Sequence, residues 1–237
     1  MDRVAIFGDS FVDPDYNLVL DQDRGYSWVH LLAERYNTYN AGVSGTGPDY
    51  SFTQLRHWRN PQVEQGLTQD TSLIFVCSDP CRLDLSCWKD PRDAVQIFDI
   101  AEGRTKHKTS LFAKQALQWM MTDEWLINQS LLYYLTLNSI SEHFKRVLFW
   151  PIGAAAHYNC FTKLPCADNF YFVDTPLNEI SVRDCGESIY GQGLDNRINH
   201  LQKPNHDIMY DMLVQWIENG TSIDASKFKY AGPLETK

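Results

Sequence analysis

Three short stretches, far apart in the chain, hold residues that together could carry out acyl transfer. Gly8-Asp9-Ser10 directly follows the apolar run Val4-Ala5-Ile6-Phe7. A serine at the exit of a strand can stand at the carboxyl edge of a sheet, where a nucleophile has to be. Asp and Ser in that place are equally ordinary turn and helix-cap residues. Asn40-Ala41-Gly42-Val43-Ser44-Gly45 follows a second strand-like segment. A glycine there lets the backbone approach a substrate and present an N–H to a developing oxyanion, or simply makes a tight turn. Asn199-His200-Leu201 comes late, shortly before a final helical stretch. Its histidine could take the serine proton, or could be a surface-loop residue. His206 falls at the start of that helix, as a capping or packing residue.

Elements of the right kind stand where these stretches need them. Three short apolar runs, Val4-Ala5-Ile6-Phe7, Leu73-Ile74-Phe75-Val76 and Val147-Leu148-Phe149-Trp150, have strand length, Pro151 closes the last, and Tyr39-Asn40-Ala41 reads as a further short strand. Continuous rather than alternating apolar runs suit parallel strands buried on both faces. Ser27 to Tyr36 predicts an amphipathic helix with Trp28, Leu31, Leu32 and Tyr36 on one face and Ser27 as N-cap. Leu111 to Phe144 is a long helical stretch divided near Thr122-Asp123, and Asn205 to Glu218 is another amphipathic helix. Strands alternating with helices predict an α/β domain with a parallel sheet covered on both faces. The chain reads as one domain over residues 1–237. Arg82 to Ser110 lacks periodicity and reads as an insertion at the strand ends, where open α/β sheets hold their sites.

Composition removes several function classes. The 237 residues carry 21 Lys+Arg against 30 Asp+Glu, a net charge of −9, with 43% hydrophobic and 22% charged residues. That balance allows a sizeable core and speaks against gripping phosphate backbones or anionic lipid. The one basic cluster, Arg104 to Lys108, reads as a solvated loop. No apolar run approaches the ~18–20 residues of a membrane span. The start, Met1-Asp2-Arg3-Val4, lacks the layout of a secretory signal, which points to a cytoplasmic chain or to one whose leader has been removed. The six cysteines, Cys77, Cys81, Cys87, Cys160, Cys166 and Cys185, are an even number, yet without a leader they read as free thiols. None lies in a CxxC pair or beside a histidine at ligand spacing, so no metal site is expected. Aromatic residues at helical spacing, among them Trp119, Trp125, Tyr133 and Tyr134, read as core.

Taken in order, Gly8-Asp9-Ser10-Phe11, the segment Ser27 to Gly47 and the late His200-Leu201 before a terminal helix resemble the SGNH, or GDSL-type, hydrolase family. The resemblance spans Val4 to about Trp216, and its two N-terminal blocks are the specific part. It implies a three-layer α/β/α sandwich with a flavodoxin-like parallel sheet. It also implies hydrolysis, sometimes transfer, of ester-linked acyl groups without metal or cofactor. By the same resemblance Ser10 is the nucleophile and its N–H one oxyanion donor, Gly42 N–H is a second donor, and His200 is the general base. His206 matches the later, non-catalytic histidine of the family's His-Leu-x-x-x-x-His ending.

Two positions depart from that family. Its third block places an asparagine side-chain amide in the oxyanion hole, and here the segment reads Cys77-Ser78-Asp79-Pro80. An ionised Asp79 cannot donate, and loss of one such donor costs on the order of 10²–10³ in rate. Asp79 serves only if protonated, or if Ser78 or another donor takes over. The acid that orients the histidine lies three residues before it in the family, where this chain has Arg197. Asp195 is the nearest replacement, although Asp195-Asn196-Arg197 is equally a turn sequence. The resulting expectation is an esterase acting on small acyl groups, such as acetyl esters of a carbohydrate or another polar alcohol. An O-acyltransferase, and a non-catalytic binding or assembly module on the same fold, are the alternatives. The oligomeric state is left open.

Overall fold

The runs at Val4–Phe7, Leu73–Val76 and Val147–Trp150 become the middle of a parallel sheet, and Tyr39-Asn40 falls in its edge strand, which spans Asn37–Asn40 and not Ala41. The computed structural model describes residues 2–15, 26–80, 82–83, 95–96, 122–153, 158–186 and 200–233. Strands β1 (Arg3–Phe7), β2 (Asn37–Asn40), β3 (Thr71–Cys77), β6 (Arg146–Pro151) and β7 (Phe170–Phe172) run parallel in the order β2-β1-β3-β6-β7. Two further two-residue strands, β4 (Arg82–Leu83) and β5 (Val95–Gln96), pair with each other antiparallel. The five-stranded order is flavodoxin-like, with the chain moving outward from β1 to β2 and then crossing back to β3. The carboxyl ends of β1 and β3 therefore border the crevice where the winding reverses, and open sheets bind ligands there.

Register explains why the central runs are apolar throughout. Ala5 lies level with Leu73, and Leu73 with Val147, while Ile6, Ile74 and Leu148 form the next row. Successive side chains point to opposite faces. Val4, Ile6, Ile74, Val76, Leu148 and Trp150 meet one helical layer, and Ala5, Phe7, Leu73, Phe75, Val147 and Phe149 meet the other. The first layer holds α1 (Trp28–Arg35), α4 (Leu177–Cys185) and α5 (Lys203–Asn219), which bury Trp28, Leu32, Leu177, Ile180, Met209, Leu213 and Trp216. The second holds α2 (Pro48–Glu64) and α3 (Asp123–Ile140), which bury Leu55, Trp58, Tyr133, Tyr134 and Leu137. This is the expected three-layer arrangement.

Some local expectations need adjusting. Ser27 occupies the N-cap position of α1, yet its side chain makes no capping bond; Ser27 Oγ lies 2.7 Å from His30 Nδ1 instead. Thr122 does cap α3, accepting from Trp125 N at 3.2 Å, which is where the long helical stretch was expected to divide. Residues 84–94 and 97–121, with all of the expected insertion except Arg82, Leu83, Val95 and Gln96, lie outside the described residues. Among the described residues no helix is long and apolar enough to cross a membrane.

Candidate active site

The chain leaves β1 at Gly8 through a space no side chain could share. A Cβ at Gly8 would lie 2.8 Å from Val76 O and 2.9 Å from Val12 Cγ2. Asp9 then opens a helical turn, its carbonyl accepting from Val12 N and Asp13 N, each at 3.0 Å. Ser10 stands in this turn at the carboxyl edge of the sheet. Its Oγ lies 2.8 Å from His200 Nε2, a residue 190 positions away in the chain. With the ring proton on Nδ1, Nε2 is the acceptor that a serine nucleophile needs.

His200 is held on several sides. Its ring centroid lies 4.5 Å from that of Phe11, and its carbonyl accepts from Ser181 Oγ at 2.8 Å. Its φ of 57° makes it the only non-glycine residue with positive φ among the described residues. A side chain in that region costs of order 1–3 kcal/mol, and the surrounding structure must hold it there. Ser10 is 4% and His200 8% exposed, so the pair sits almost shielded from water. Shielding strengthens any dipole aimed at charge developing there.

The second block comes close to the first because Gly42 has no side chain. A Cβ on Gly42 would lie 2.5 Å from Val12 Cγ2 and 2.7 Å from Val12 O. Asn40 fastens the contact, with its Nδ2 donating to Val12 O at 2.8 Å and its Oδ1 accepting from Gly42 N at 2.8 Å. The Gly42 N–H that was expected to face an oxyanion is thus donated to its own Asx turn. Val43 N donates to Gly8 O at 3.2 Å, Ser44 N to Asp13 Oδ2 at 2.7 Å, and Thr46 N to Val43 O at 3.3 Å. Gly45, at φ 81°, carries the amide of this turn that has no acceptor among the described residues. Nothing in the sequence alone separates Gly45 from Gly42, since the difference lies in where Asn40 points.

The third block places its carboxylate at the same edge. Asp79 is half-buried after β3, with Oδ2 3.7 Å from where a Cβ on Gly153 would be. Ser78, the replacement donor weighed above, is buried and donates its hydroxyl to Thr46 O at 3.2 Å. Arg82 is a residue whose part the sequence did not reveal. Its Nη1 lies 2.9 Å from Asp9 Oδ2 and 3.5 Å from Thr46 O, so one guanidinium joins the exits of β1, β2 and β3. Asp9 is fully buried, and its other oxygen accepts from Phe11 N at 3.1 Å. Asp195, Arg197 and Asn199 lie outside the described residues.

Below this edge, burial pushes the Cys77 thiol well up, and the negative charges of Asp9, Asp79 and Asp49 add to the rise. Cys77, Cys160, Cys166 and Cys185 are not in disulfides, and 160 and 166 are exposed. Iodoacetamide at about pH 8 is therefore expected to label Cys160 and Cys166 in the folded chain and to reach Cys77 only on unfolding. Peptide mass mapping checks this, and early labelling of Cys77 would contradict the burial. Among the described residues no group of three or more His, Cys, Asp or Glu side chains could hold a metal ion.

No family model and no curated protein matches the chain. Among solved structures it is similar to TesA, at 13% identity and a TM-score of 0.44, over 91% of this chain and 98% of that one. It is also similar to Axe2, an acetylxylan esterase from Geobacillus stearothermophilus, at 10% identity and a TM-score of 0.48, over 92% and 94% of the two chains. A mutant of that enzyme aligns over 94% of this chain and 97% of its own, at 10% identity and a TM-score of 0.45. Nothing about the reaction follows from likeness at this level.

Proposed function

We propose that the chain is a serine hydrolase of ester-linked acyl groups. The observation that carries the proposal is the 2.8 Å contact between Ser10 Oγ and His200 Nε2 at the carboxyl edge of the sheet. Ser10 Oγ attacks the acyl carbonyl while His200 takes its proton, and His200 then returns that proton to the leaving alcohol. Water, deprotonated by His200, releases the acid and restores Ser10. The developing oxyanion is met by Ser10 N–H and by the 40–45 turn. Within that turn the donor is Gly42 N–H, which serves once it leaves or shares Asn40 Oδ1. Asp195 is the candidate acid behind His200. A nearly shielded Ser10 suits a short acyl group such as acetyl, on a sugar or another polar alcohol.

The test is turnover of p-nitrophenyl acetate by the full chain. Activity well above the uncatalysed rate supports the proposal, and its absence refutes it. Asp79 is the observation behind a second reading, a binding module that keeps the fold without the chemistry. Asp79→Asn separates the two: restoring an amide donor is expected to raise kcat by up to about 10²-fold. A fall in kcat would give the carboxylate a role of its own. An added alcohol that captures the acyl group instead of water would identify the transferase variant of the same reaction.

A further inference from the structure

We infer that α4 is a positioning device for His200, acting through Ser181 and Asp184; the inference rests on the hydrolase reading of Ser10 and His200. These two residues are three apart on one helix and so share a face. Both are fully buried, in an element that contributes nothing to the three sequence blocks. Ser181 Oγ donates to His200 O at 2.8 Å, which fixes the peptide plane that follows His200. Asp184 takes hold two residues further on, its carboxylate accepting Gln202 N at 3.3 Å on Oδ1 and 3.2 Å on Oδ2, with Asn205 Nδ2 donating closely to Oδ1.

The far side of this grip is fastened as well. Gln202 Nε2 donates to Asp184 O at 3.3 Å and to Gly232 O at 2.8 Å. Asn205 Nδ2 donates to Lys229 O at 2.6 Å, Asn205 Oδ1 accepts from Lys229 N at 2.9 Å, and Ala231 N donates to Asp184 O at 2.8 Å. The segment from His200 to Asn205 is thereby locked between α4 and residues 229–232. That lock is where the left-handed backbone of His200 finds its support, because a residue at φ 57° relaxes unless its neighbours forbid it. Relaxation at His200 would swing the imidazole off Ser10 Oγ, and small displacements of a catalytic group are costly in rate.

Ser181 bonds the backbone carbonyl of His200, so its influence is expected on the chemical step and not on substrate binding. Ser181→Ala, which removes a single oxygen, is expected to lower kcat on p-nitrophenyl acetate by about 10- to 100-fold, with KM within about twofold. Ser181→Thr keeps the hydroxyl and should recover most of kcat. In a His200→Ala background the same Ser181→Ala change should cost no more than about twofold, since the group it positions is gone. Should Ser181→Ala fail to fold, Ser181→Cys makes the same comparison with a weaker donor. Unchanged kcat in Ser181→Ala, or an equal loss with and without His200, overturns the positioning role while leaving the hydrolase reading intact. A wild-type chain without turnover overturns both.

Discussion

Replacing Ser10 by alanine is expected to lower kcat/KM on p-nitrophenyl acetate by about 10⁴-fold or more, a loss of transition-state stabilisation of about 5 kcal/mol. The substitution removes one oxygen from a turn whose backbone bonds involve Asp9, Val12 and Asp13, so the fold should be unaffected. His200→Ala is expected to cost about as much, because a nucleophile and its base act as one unit and their losses do not add. The double variant should therefore be no slower than either single variant by more than about tenfold. Steady-state kinetics with circular dichroism as a folding control measures this. Activity of Ser10→Ala within tenfold of wild type would mean that the ester is cleaved elsewhere on the chain.

The second large effect concerns stability. Asp9 has 1% of its side chain exposed and is paired at 2.9 Å with Arg82, whose side chain is 19% exposed. Arg82→Met keeps the aliphatic stem but leaves a buried carboxylate beside the nucleophile without its cation. Breaking one side of a buried pair costs about 3–5 kcal/mol, and the partial exposure of Arg82 places the expected loss near 3 kcal/mol. For a domain of this size the melting temperature should fall by roughly 6–12 °C. Adding Asp9→Asn removes the stranded charge and should return much of the loss, which distinguishes charge burial from lost packing. A urea midpoint of Arg82→Met equal to that of wild type would show that the pair contributes nothing.

What could be read in the sequence was whatever depends on local pattern. Three of the runs were legible because β1, β3 and β6 are covered on both faces and so are apolar at successive positions, whereas β2 is a polar edge strand over Asn37–Asn40. The last strand, Phe170–Phe172, escaped because three residues carry no period. Helix α2 escaped because its buried residues, Pro48, Ser51, Leu55 and Trp58, form a sparse stripe in a polar segment with Pro61 inside it.

The site divides in the same way. Ser10 and His200 were legible because their neighbours carry a pattern, and the fold brings the two within hydrogen-bonding distance. Side chains that act across loops were not legible. Arg82 reads as the first residue of an insertion, and only the geometry ties it to Asp9 and Thr46. Gly42 reads as a donor, and only the orientation of Asn40 shows where its N–H goes. Ser181 and Asp184 sit in an unremarked helix, and their grip on the His200 segment depends on tertiary register alone.

The most direct test of the central claim is covalent. A fluorophosphonate reacts with a serine only when a base activates it and donors stabilise the resulting oxyanion. Incubation of the full chain with such a probe, followed by intact and peptide mass spectrometry, should show one adduct, on the peptide that contains Ser10. The adduct should be absent in Ser10→Ala and form far more slowly in His200→Ala. A wild-type chain that stays unlabelled, or an adduct that persists in Ser10→Ala, contradicts the account.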